Sequence, residues 1–125
     1  MMNIAAIRKF CYSLPNAKNE IKWGADHVYT VGEKMFAIAY ATADGTPHVS
    51  FKVDHDLFLQ MSDRPGFAPA PYLARAKWVR LHDFSKVGDA ELKTMIRRSY
   101  ALVASKLTKK RQVELGVVAP LSIKK

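Results

Sequence analysis

The sequence predicts an α+β domain, an antiparallel sheet of about five strands with helices on one face. Three observations predict it. An opening segment carries apolar residues at helical spacing. The next forty residues alternate strand-like runs with turns too short for parallel crossovers. A long amphipathic segment near the C-terminus completes the order helix, meander, strand, helix. The 125 residues, 49% of them hydrophobic, suffice for one core and are too few for two of ordinary size.

Asn3 is placed to cap the first helix, its side chain accepting a backbone N–H of the opening turn. Ile4, Ile7, Cys11 and Leu14 form one apolar stripe, and Pro15-Asn16 ends the segment. Cys11 lies on that stripe, so a buried, inert thiol is expected. The runs from Glu20 to Trp23, His27 to Val31 and Lys34 to Ala41 read as strands, with Gly32-Glu33 as a tight turn. Asp44-Gly45 marks a second hairpin, because glycine accepts a positive φ at no steric cost. From His48 to Val53 the chain alternates, with Val49, Phe51 and Val53 on one face and His48, Ser50 and Lys52 on the other.

Asp54 is placed to cap a short helix containing Leu57, Phe58 and Met61. Pro65, Gly66, Pro69 and Pro71 then predict an ordered loop without a regular element. The run from Lys77 to His82 reads as another strand. Its Val79 and Leu81 share one face, and Trp78, Arg80 and His82 the other. From Asp89 to Leu107 runs the clearest helix, whose apolar arc predicts burial of Leu92, Ile96, Tyr100 and Val103. A single domain over residues 1–110, followed by a basic tail over 111–125, is the expected organisation.

The net charge is +9, and it is unevenly placed. Residues 84–125 hold ten basic and three acidic groups, a balance of +7. Such a field attracts nucleic acid, anionic lipid or acidic proteins. Lys93, Arg97, Arg98, Lys106, Lys109, Lys110 and Arg111 make the C-terminal basic set, which could track phosphates without reading bases. The alternative is a solvated helix face. On the open sheet face, Lys52, Trp78 and Arg80 could stack a base and hold a phosphate. Alternatively, Trp78 is packed by Tyr29, Tyr40 or a loop.

No catalytic or metal-binding constellation is legible. His27, His48, His55 and His82 pair neither with each other nor with Cys11 at zinc-ligand spacing. No phosphate-binding loop, dinucleotide fingerprint or nucleophile elbow occurs. The expectation is a protein without metal or cofactor, and without catalytic residues. The apolar start is broken by Arg8-Lys9, and no stretch approaches the roughly 20 apolar residues of a membrane span. With one cysteine and no such segment, a cytoplasmic location without membrane attachment is expected. Oligomeric state is left open.

Five stretches carry a resemblance. They are Ile21-Lys22-Trp23-Gly24, Tyr29 through Ala37, Val49-Ser50-Phe51-Lys52, Pro69 through Arg75 with Trp78-Val79, and Ile96 through Val103. In order and spacing the chain resembles the MmcQ/YjbR family as far as about Lys110. The resemblance implies a frataxin-like α+β fold and a DNA-binding role in a double-wing arrangement. The tips most like wings, Gly32-Glu33-Lys34 and Asp44-Gly45, are nearly neutral, and the basic surplus lies elsewhere. Frataxin-like iron binding is disfavoured, because the opening helix carries Arg8 and Lys9 and no acid. DNA is therefore the expected partner, bound weakly and with little sequence preference. The alternative is a non-catalytic domain for proteins or small anions, using the loop from Arg64 to Arg75 and the open sheet face. An enzyme acting on an anionic metabolite held by Arg64, Arg75 and Lys52 would be a third reading, for which no base or nucleophile is visible.

Overall fold

The computed structural model describes residues 1–24 and 26–117. Helix α1 spans Ile4–Ser13, and Asn3 caps it as expected, its Oδ1 accepting from the Ala6 N–H at 2.8 Å. Strands β1 (Lys18–Lys22), β2 (Asp26–Val31), β3 (Lys34–Ala41) and β4 (Pro47–Lys52) form the meander. A 3-10 turn at His55–Leu57 leads into α2 (Phe58–Asp63), followed by β5 (Phe67–Pro69) and β6 (Trp78–Leu81). Helices α3 (Asp89–Ala104) and α4 (Lys109–Leu115) complete the described chain.

The sheet is antiparallel throughout, in the order β1-β2-β3-β4-β6-β5. It has six strands rather than about five, because β5 forms inside the proline-rich stretch where the sequence predicts only loop. Proline lacks the N–H that a central strand must donate, but Pro69 sits on an edge strand, where one side of the ladder faces no partner. The β2–β3 turn places Gly32 and Glu33 at φ 57° and 66°, the left-handed pair that a two-residue hairpin requires.

The main core lies between one sheet face and the helices. Ile7 and Cys11 of α1 meet Val49, Phe51, Val79 and Leu81 of the sheet and Leu92, Ile96, Tyr100 and Val103 of α3. All four residues expected to be buried on α3 are buried. Ser99 is fully buried among them: its hydroxyl donates to the Phe36 carbonyl at 2.7 Å and accepts from the Lys52 N–H at 2.9 Å. Burial pushes the Cys11 thiol up to about 12.

Three local expectations change. Asp54 does not cap the turn that follows it; its carboxylate is engaged by the Arg98 guanidinium at 2.9 and 2.6 Å. The tail boundary expected at residue 111 falls inside α4, and Val117 beyond it is buried in the core. Thr108 caps α4 by accepting from the Arg111 N–H at 3.1 Å. The remaining tail, 118–125, lies outside the described residues. Finally, the second sheet face is not bare. Val28, Ile38 and Trp78 pack there with Ala70, joined by Met35 and Leu73. Among the described residues, no helix is long and apolar enough to cross a membrane.

Candidate functional site

The basic residues singled out in the sequence do not form one surface. Arg98 is neutralised by Asp54, and the hydrogen bond and charge of that carboxylate push its guanidinium further up. Arg111 is clasped by Glu33 across the chain at 3.0 Å and by Glu114 at 3.3 Å. Asp54 and Glu33 lie 44 and 78 residues away from their partners, beyond the reach of local pattern. Lys93 and Arg97 share a helical face, as their spacing predicts, and both lie over the Phe10 ring, at 5.7 and 5.1 Å from its centroid. Lys109 and Lys110 remain exposed at the start of α4.

Trp78 is buried and offers no face for a base; Ala70 and Leu73 from the loop pack in its cluster. This is the packed alternative, supplied by the loop rather than by Tyr29, which lies in the main core. Of Arg64, Arg75 and Lys52, two are engaged within the fold. Arg64 forms a bidentate pair with Glu91 at 2.7 and 2.9 Å, and Lys52 Nζ donates to the Ala76 carbonyl at 2.6 Å.

What the fold assembles instead is a lysine cluster. Lys52 ends β4, Lys77 precedes β6 and Lys106 follows α3. Burial first, and then the Lys106 and Lys77 ammonium groups, hold Lys52 below the usual lysine range. None of the three is in an ion pair among the described residues. Three cations from separate elements thus share one region, which favours a positive potential there. Among the described residues, no group of three or more His, Cys, Asp or Glu side chains could hold a metal ion.

The second sheet face carries a cleft of about 500 Å³. Its floor includes the cross-strand row Ile38, Ser50, Arg80, with Tyr40 and Asp26 beside it. Trp23 and Tyr72 line its mouth. Tyr40 is central to its polar end, with its hydroxyl 2.8 Å from His48 Nδ1 and 3.4 Å from an Arg80 nitrogen. Burial, then Arg80 and His82, push His48 down, so its imidazole is neutral near pH 7. Sequence reading singles out neither Tyr40 nor Trp23 as a site residue, whereas Tyr72 lies in the loop from Arg64 to Arg75 that the small-anion alternative uses. The alternation of β3 carried the signal for Tyr40, two residues from Ile38 on the same face.

The YjbR family model matches residues 12–102. The crystal structure of Deinococcus radiodurans protein DR2400, whose family domain is DUF419, is similar at a TM-score of 0.83 and 28% identity, over 94% of this chain and 91% of that one. A protein of Pseudomonas syringae, target PsR293, shares the fold at a TM-score of 0.69 and 17% identity, over 82% of this chain and 99% of that one. No curated protein matches the chain.

Proposed function

The chain belongs to the YjbR family, and from its charge and geometry we propose that it binds duplex DNA through phosphate contacts, with little sequence preference. The observation that carries this reading is the cluster of Lys52, Lys77 and Lys106, continued along the chain by exposed Lys109 and Lys110. The net charge of +9 supports it. Lysine is a hydrated point charge on a flexible stem, suited to a phosphate and poorly suited to fixing one base edge. The interface differs from the one the sequence alone predicts, because Arg98, Arg111 and Trp78 are occupied within the fold.

Fluorescence anisotropy of a labelled duplex, titrated over salt, tests the proposal. Five phosphate contacts give a log–log slope of about −4.5, and replacing Lys52, Lys77 and Lys106 by Glu removes about 2.7 of it. The triple variant should lose measurable binding at moderate salt while retaining its circular dichroism. Wild-type affinity in that variant, or no binding by wild type at low salt, would remove the reading.

A further inference from the structure

We propose that the cleft on the open sheet face is a second binding site, for a small monocarboxylate with a flat apolar body. This goes beyond the DNA reading and uses none of the lysine cluster. The first argument is charge. Arg80 lines the cleft, and no carboxylate pairs with it among the described residues. Its Nε is buried without a hydrogen-bond partner, and among the described residues its side chain makes one hydrogen bond, the long one to Tyr40. The residue is half-buried, and a guanidinium whose Nε is buried without a partner is costly; a planar carboxylate satisfies its fork. Asp26 sits on the same face three strands away, roughly 14 Å at ordinary strand spacing. It disfavours a second anionic group at the far end, so the ligand carries its negative charge at Arg80 alone.

The second argument is the mouth. Trp23 and Tyr72 are 66% and 103% exposed, and both adopt positive φ, 50° and 65°. That conformation is strained for a bulky side chain, and neither ring is repaid by burial in the free protein. Two exposed aromatic rings beside an apolar floor of Ile38 and Met35 fit a flat body seated between them. A volume of about 500 Å³ is the size of a small-molecule site.

The test uses 2-naphthoate, with 2-naphthamide and 1-naphthyl phosphate as comparison ligands, in calorimetric and amide-shift titrations of the intact chain. Naphthoate should bind with a Kd on the order of 1 mM or tighter. The neutral amide should bind at least about tenfold more weakly, and Arg80→Gln should weaken naphthoate by about 10- to 100-fold. Tyr72→Ala, at a position too exposed to affect folding, should weaken it several-fold. The Glu replacements in the lysine cluster should leave it unchanged. No naphthoate binding at millimolar concentration, equal binding of the amide, or unchanged affinity in both Arg80→Gln and Tyr72→Ala would overturn the proposal. Tighter binding of the naphthyl phosphate would overturn the assignment to a carboxylate.

Discussion

Ser99→Ala should be among the most damaging small substitutions in this protein. The side chain is fully buried on α3 and bridges two strands, donating to Phe36 of β3 and accepting from Lys52 of β4. Alanine removes both bonds and leaves a backbone acceptor and a backbone donor in the interior, where each unsatisfied group costs about 1–3 kcal/mol. The expected loss is therefore about 2–6 kcal/mol, a large part of a typical domain's roughly 5–15 kcal/mol. At roughly 4 °C per kcal/mol for this size, Tm should fall by about 8–24 °C. Urea unfolding followed by circular dichroism measures it, with Ser85→Ala in an exposed turn as the control. If β3 and β4 could close and pair these two groups directly, the loss would drop below about 0.5 kcal/mol. That result would refute the bridging role.

Gly32→Ala should cost about 1–2 kcal/mol through its positive φ alone, and its new methyl would stand 2.8 Å from Leu107 Cδ1. Gly45→Ala, with φ 87° and nothing within 4 Å, should cost only the backbone part, so equal Cm values for the two would show that Leu107 yields freely. Cys11, with its thiol pushed up to about 12, should resist a disulfide reagent at pH 8 in the native state and react at once in urea; rapid native labelling would contradict its burial. Hydrogen bonds from Thr42, then Thr46, lower Asp44 to about 2. Its folded value lies below its ordinary 3.8, so its contribution to stability is complete above that pH and is lost as pH falls toward 2. A carbon-detected titration of the Asp44 carboxyl should show that midpoint, and one near 3.8 would dismiss the turn network.

The elements with strong local signals were legible. The stripe of α1, the arc of α3 and the alternation of β4 each place their apolar residues against one core, as the periods require. β5 was hidden because its proline is tolerated only by its position at the sheet edge, a tertiary fact. α4 was hidden because Lys109–Leu115 is short and opens on three cations, without an apolar period. The candidate surfaces suffered more. Charge and composition identify Arg98 and Arg111 as cations, but only the fold brings Asp54 and Glu33 to them. Likewise the cleft draws on β2, β3, β4, β6 and the loop over Ala70, so no single window of sequence contains it.

The proposed DNA-binding surface is the lysine cluster together with the start of α4. Backbone amide shifts of the isotope-labelled chain, titrated with a short duplex at low salt, address it most directly. The account predicts perturbations at Lys52, Lys77 and Lys106, continuing to Lys109 and Lys110, that vanish as salt is raised. Perturbations confined to other surfaces, or spectra unchanged by the duplex, would contradict it.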